Sequence, residues 1–328
     1  MIENLINEIF NVSKQGFDKL ALDIFNYQYN NNKIYNDYVN HLKINVKNIG
    51  SINEIPFLPI DFLKTHKIIT ENKKEEKVFT SSGTTGSIPS YHYVNDISIY
   101  IKSFRKSFQL FYGDITDHCI LALLPSYLER ENSSLVYMID NFINESKHNL
   151  SGFYLHNYND LLDKLRKLEK LKQKTILFGV SYALIDIAKI IDFPLNYTTI
   201  IETGGMKGKR KEIPKTELHK LLKKGFGLSE IHSEYGMTEL LSQAYSKKNG
   251  GFYCPPWMKI LIRDAYDPFM FKDSGKSGGI NVIDLANIYS CSFIETKDIG
   301  KINNNGSFEV LGRLDNSDIR GCNLLFNE

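Results

Sequence analysis

Between residues 119 and 222, short β-rich runs alternate with longer helical ones, and no other feature limits this chain's fold so tightly. Residues 119–124, 175–180 and 198–202 are strand-like, while 133–143, 160–171, 181–191 and 214–222 carry helical spacing. Strands separated by helix-length connections pair in parallel, so the order implies an α/β fold layered around a largely parallel sheet. Ligands of such sheets sit beyond the carboxyl ends of the strands. Ahead of this stretch, Asp96 reads as the N-cap of an amphipathic helix. It carries Ile97, Tyr100, Ile101, Phe104, Phe108 and Phe111 on one face and ends at Gly113.

The flanks differ in character. Residues 1 to about 50 show helical periodicity, with Leu5, Ile9, Phe17, Leu20, Ile24 and Tyr27 on buried faces, and are expected to form a helical cap over 1–55. Pro56 and Pro59 break helix, and a charged loop at 71–77 leads into a strand ending at Phe79. The α/β core is expected over 56–250. Beyond Gly250, Pro255-Pro256, Ser277-Gly278-Gly279 and Asn304 to Gly306 punctuate short β-rich segments, which suggests a small barrel-like subdomain over 251–312. Residues 313–328 form a hinge-like tail.

Composition removes several function classes. The 328 residues are 42% hydrophobic, enough for a large core, and 24% charged with a net charge of +2. Such a balance offers no whole-chain field for nucleic acid or an anionic membrane. Cys119, Cys254, Cys291 and Cys322 form no CxxC pair, which fits a reducing compartment and no disulfide framework; zinc held by scattered residues such as Cys254 has no support in the spacing. The start, MIENLINEIF, has neither a basic region nor a long apolar stretch, so no signal peptide or membrane span is expected and the cytoplasm is the expected location.

Two short segments carry the chemistry. Ser81-Ser82-Gly83-Thr84-Thr85-Gly86 follows the strand at Phe79; its glycines allow a tight turn and close backbone approach, and its hydroxyls add donors suited to an oligophosphate. No Lys follows the second glycine, so this is not the GxxxxGK[ST] loop, and an ordinary polar hairpin is the alternative. The second segment is Ser233-Glu234-Tyr235-Gly236-Met237-Thr238-Glu239. Tyr235 can lie against a base, Gly236 permits close approach, Thr238 can bond a phosphate oxygen, and Glu239 offers a hard oxygen ligand for Mg²⁺ or, alternatively, a carboxylate complementing a helix dipole.

Together these segments resemble the adenylate-forming superfamily of acyl-CoA synthetases, luciferases and adenylation domains. Further matches follow in the same order: Gly204-Gly205-Met206, Glu295-Thr296-Lys297-Asp298-Ile299-Gly300 and Gly312-Arg313-Leu314-Asp315. Within it the chain is most similar to LuxE-type acyl-protein synthetases, through Leu124-Pro125-Ser126-Tyr127-Leu128-Glu129-Arg130, Gly204-Gly205-Met206-Lys207-Gly208 and Ser317-Asp318-Ile319-Arg320-Gly321-Cys322. The resemblance implies an adenylate-forming large domain with layered sheets and a small β-rich subdomain, without the usual C-terminal lid.

It also implies an ATP- and Mg²⁺-dependent ligase that converts a carboxylic acid, expected to be a fatty acid, into an acyl-adenylate. Ser81, Ser82, Thr84 and Thr85, with Gly83 and Gly86, would hold the β- and γ-phosphates; the Lys that often closes this loop is missing, with Ser90 near its place. Gly204, Gly205 and Tyr235, followed by Gly236 and Thr238, would flank the adenine and phosphates, Glu239 would hold the metal, and Asp298 with Arg313 would contact the ribose, a surface ion pair being the alternative. Lys207 would reach the α-phosphate unless its basic cluster is merely solvated. His232 either faces the acyl carboxylate or serves as a hydrogen-bonded structural residue. Cys322, beside Arg320, matches the cysteine that takes the acyl group for delivery to a partner reductase; a buried structural cysteine is the alternative. Transfer to coenzyme A or an acyl carrier protein, and a non-catalytic nucleotide-binding or acyl-carrying subunit, are the rival functions.

Overall fold

A computed structural model describes residues 2–71, 73–81, 88–124, 132–155, 157–204, 213–248 and 250–313. The helices are α1 (Ile2–Ile9), α2 (Phe17–Asn31), α3 (Lys33–His41), α4 (Phe62–Thr65), α5 (Ile97–Tyr112), α6 (Ser134–Ser146), α7 (Tyr158–Lys170), α8 (Ser181–Ile190) and α9 (Lys215–Phe226). The strands are β1 (Leu58–Pro59), β2 (Lys77–Thr80), β3 (Tyr91–Val94), β4 (Cys119–Leu123), β5 (Gly152–Tyr154), β6 (Thr175–Val180), β7 (Thr198–Thr203), β8 (His232–Tyr235), β9 (Ala244–Ser246), β10 (Met258–Arg263), β11 (Ser277–Asp284), β12 (Phe293–Ile302) and β13 (Phe308–Arg313). They fall into two compact units, one of residues 63–67 and 73–255, the other of 1–62, 68–72 and 256–328.

The first unit holds a sheet of order β5-β4-β6-β7-β8-β9, parallel from β5 to β8 with β9 antiparallel at its edge. β4 and β6 are buried at every position, which is why they read as unbroken apolar runs instead of alternating ones. Helix α5 begins where Asp96 accepts a hydrogen bond from Ser98 N and ends at Gly113, whose φ of 85° suits glycine. Its buried face includes Tyr100, Phe104 and Phe108, and the Phe108 ring lies 4.9 Å from that of Phe142. Two serines share that face: Ser103 meets the Ser242 hydroxyl at 3.1 Å and Ser107 donates to the Gln243 carbonyl at 3.0 Å. Phe108→Ala should lower unfolding stability by about 3–5 kcal/mol, read by urea denaturation, because the cavity among fixed rings cannot close.

The second unit is built on the order β1-β12-β11-β10, with β13 also paired to β12. Among the described residues this is an open sheet, which corrects the barrel-like expectation: turn residues mark where strands end, but they carry no information on closure. The N-terminal helices belong to this same unit. Gln28 of α2, fully buried, donates to the carbonyls of Asn287 and Ile288 at 2.9 Å each and accepts from Ser292 N at 3.0 Å. The rings of Phe25, Tyr35 and Phe57 gather around Phe293 with centroids 6.1 to 6.2 Å from it. A buried amide with its bonds made and a cluster of aromatic rings together fix α2 and α3 against residues 285–293.

Candidate active site

The carboxyl ends of β6, β7 and β8 carry Val180, Thr203 and Tyr235, and the hairpin β2–β3 carries the glycine-rich segment. Thr80 pairs with Tyr91, and beyond them Ser81 N donates to the Ser90 carbonyl at 3.0 Å while Ser90 N donates to Ser81 Oγ at 2.8 Å. Ser81 and Ser90 therefore close the base of the loop. On the next strand, buried His92 places Nδ1 2.7 Å from the carbonyl of Thr238. A carbonyl only accepts, so Nδ1 carries the proton. This one bond ties the strand after the glycine-rich segment to the turn holding Thr238 and Glu239.

In that turn Gly236 is exposed, while Glu234, Tyr235 and Glu239 are buried. The Thr203 hydroxyl donates to Glu234. A Cβ on residue 236 would collide with Oε1 of that same carboxylate, so a larger residue here would have to displace Glu234 from its bond with Thr203. Tyr235 packs its ring 5.8 Å from that of Phe252. Glu239 is only 7% exposed, and it is a hard oxygen donor of the kind Mg²⁺ takes. Among the described residues no group of three or more His, Cys, Asp and Glu could enclose a metal, and a Mg²⁺ carried on phosphates and waters needs no such cage. Glu239 fits that use as a single ligand.

At the end of β7, Gly204 has a φ of 68° and its carbonyl accepts from Ser181 Oγ at 2.7 Å. The same hydroxyl lies 2.8 Å from Glu202 Oε1. Lys215 Nζ is 3.4 Å and His219 Nε2 3.9 Å from Glu202 Oε2, and that histidine nitrogen is 3.0 Å from Ser233 Oγ. Burial would push the Glu202 carboxyl upward, but Lys215, His219 and Ser181 outweigh it and hold it down at about 2. Sequence reasoning passed over Glu202, Ser181, Lys215, His219 and His92. A carboxylate following Ile200-Ile201 within the strand-like run 198–202 was a signal for the first; a lone histidine on a strand gives none.

His232 lies beside Tyr112, Nδ1 3.3 Å from its hydroxyl. Burial, with Lys247 adding to it, lowers its pKa to about 4, so the ring is neutral near pH 7. In the second unit Asp298 and Arg313 are directly paired across β12 and β13, with Arg313 Nε 3.9 Å from Asp298 Oδ1. The arginine side chain is 63% exposed, so as an ion pair alone the contact would add less than about 1 kcal/mol. Ser82, Gly83, Thr84, Thr85, Gly86, Gly205, Lys207 and Cys322 lie outside the described residues.

Residues 9–328 match the family model described as acyl-protein synthetase, LuxE. The chain belongs to the LuxE acyl-protein synthetase family. Two LuxE relatives are named long-chain-fatty-acid–luciferin-component ligase. That of Aliivibrio fischeri is 23% identical over 96% of this chain and 89% of its own, and that of Vibrio harveyi 25% identical over 96% and 88%. Among solved structures, a 2-hydroxyisobutyryl-CoA ligase in its postadenylation state matches with a TM-score of 0.68 at 11% identity, over 94% of this chain and 70% of its own. ATP-bound MatB from Rhodopseudomonas palustris matches at 0.57 and 16%, over 74% of this chain and 49% of its own, so this chain spans about half of MatB. The α/β expectation is borne out: this LuxE chain is a ligase with the fold of adenylate-forming enzymes. Among its described residues no helix is long and apolar enough to cross a membrane.

Proposed function

We propose that this LuxE-family ligase activates a fatty acid with ATP and passes the acyl group to a thiol, Cys322 of its own chain. A carboxylate oxygen attacks the α-phosphorus, the bond to the β-phosphate bridge breaks, and pyrophosphate leaves. The Cys322 thiolate then attacks the acyl carbonyl, AMP leaves, and the thiol proton passes to solvent. The observation that carries the reading is the His92 to Thr238 bond, which joins the glycine-rich hairpin to the Tyr235–Glu239 turn. The bond joins residues 146 positions apart in the chain.

In this scheme the Ser81 hydroxyl, with the hydroxyls and amides of 82–86, binds the β- and γ-phosphates, and Lys207 offsets charge on the α-phosphate. Gly204, Gly205 and Tyr235 flank the base, and Thr238 bonds a phosphate oxygen. Glu239 would hold Mg²⁺, which when bound supplies neutralisation of phosphate charge. Asp298 accepts from the ribose hydroxyls and Arg313 donates beside it. A partner reductase in the cytoplasm would receive the acyl group.

Asp298→Ala should weaken ATP binding by about 1.5–3 kcal/mol, the range for a charge-assisted bond to a ligand hydroxyl. In equilibrium dialysis 2′,3′-dideoxy-ATP should lose less than ATP does. Equal losses would remove the ribose assignment. For the whole reading the test is intact-protein mass after incubation with ATP and a panel of fatty, aromatic and hydroxy acids. A hydroxylamine-labile acyl adduct is expected with fatty acids. No adduct with any acid, together with acyl-CoA or acyl-carrier formation when those thiols are added, would replace Cys322 by an external acceptor.

A further inference from the structure

A carboxylate inside a parallel strand is costly, and Glu202 is 5% exposed. Buried ion pairs seldom stabilise a fold more than apolar residues of the same volume would, so stability alone does not account for this one. Its cation is also oddly placed. Lys215 is the first residue of α9, where the helix dipole disfavours positive charge, and the N-cap Pro214 supplies no side-chain bond. The ammonium is held there by two neighbours: Glu202 Oε2 at 3.4 Å and the face of Phe252, whose centroid lies 4.3 Å away. Phe252 in turn packs against Tyr235.

On its other side the Glu202 carboxylate shares the Ser181 hydroxyl with the Gly204 carbonyl. Residues 205–212 are thus flanked by two points, Gly204 and Lys215, that both lead back to one side chain. We infer that Glu202 is a positioning residue for the nucleotide base: it seats the Ser181 hydroxyl, whose single proton lies between its carboxylate and the Gly204 carbonyl, and through Lys215 and Phe252 it fixes the Tyr235 ring. The inference rests on the proposed placement of Gly204 and Tyr235 around adenine.

Glu202→Gln keeps the shape and an acceptor for Ser181 but removes the charge, and Lys215→Met keeps the side-chain stem. Each should weaken equilibrium binding of ATP and of AMP about tenfold, the scale of one charge-assisted contact. Inhibition by tripolyphosphate and the KM for acid should stay within about twofold, since neither ligand has a base to position. Because both residues act through one pair, adding Lys215→Met to Glu202→Gln should change ATP binding by less than about twofold. Ser181→Ala, which leaves the ion pair intact, serves as a milder variant and should weaken AMP binding by about threefold.

Folded variants that bind ATP and AMP as the parent does would overturn the inference. So would parallel losses for ATP, tripolyphosphate and acid, which mark general damage to the unit. A parent chain that binds no ATP would overturn the acid-activation reading along with it, whereas an active parent with indifferent variants removes the role of Glu202 alone.

Discussion

Cys322→Ser is expected to abolish the hydroxylamine-labile acyl adduct while acid-dependent pyrophosphate exchange stays within about twofold of the parent. Exchange reports only the first half-reaction, in which the thiol takes no part. The other cysteines sharpen the test. Cys119 and Cys291 are buried, and burial pushes their thiols up to about 11 and about 12. At neutral pH such groups are almost entirely protonated and poor nucleophiles. Cys254 is partly accessible, so Cys254→Ser is the control and should acylate like the parent. An unchanged adduct in Cys322→Ser that disappears in Cys254→Ser would move the acceptor to Cys254 and end the assignment of Cys322.

Glu239→Gln should reduce pyrophosphate exchange by about 10- to 100-fold, with the loss partly recovered at high Mg²⁺ concentration. The amide matches the carboxylate in size, so a turn held by the His92 bond to Thr238 should keep its shape. What disappears is one negative charge toward a divalent cation, and with it metal affinity. Residues 236–243, between β8 and β9, form no helix whose dipole Glu239 could complement, so that alternative falls, and a purely structural Glu239 would show its loss in stability while exchange stayed unchanged. A folded variant exchanging at the parental rate would exclude Glu239 from the site.

Much of the larger unit was legible because its strands are continuous and its helices periodic. β4 and β6 are buried on both faces, so burial itself selects unbroken apolar runs, and Asp96 with Gly113 brackets α5 by local chemistry alone. Non-local pairings were not legible. Gln28 bonds to residues about 260 positions away, and nothing in the composition of α2 marks one glutamine as a partner for that backbone. β1 spans two residues, too few for any alternation to show.

The site divides along the same line. As candidates, Tyr235, Gly236 and Glu239 stand out in the sequence because their types are packed into one short segment, and the structure adds the buried Glu234 carboxylate that a Cβ on residue 236 would meet. His92 was invisible because a hydrogen bond from one ring nitrogen leaves no pattern in sequence. Ser103 and Ser107 look like defects on an apolar face until their bonds to Ser242 and Gln243 are seen. The lone carboxylate of β7 stood in plain view, yet its meaning depends on α9, which follows after residues 205–212.

Acid activation is the claim on which the rest depends, and exchange of labelled pyrophosphate into ATP by the purified full chain tests it most directly. Exchange should be absent without acid and should appear with a long-chain fatty acid and Mg²⁺, because the carboxylate must attack the α-phosphorus before pyrophosphate can leave. Exchange that fails with every carboxylic acid tried, in a folded chain that binds ATP, would contradict it.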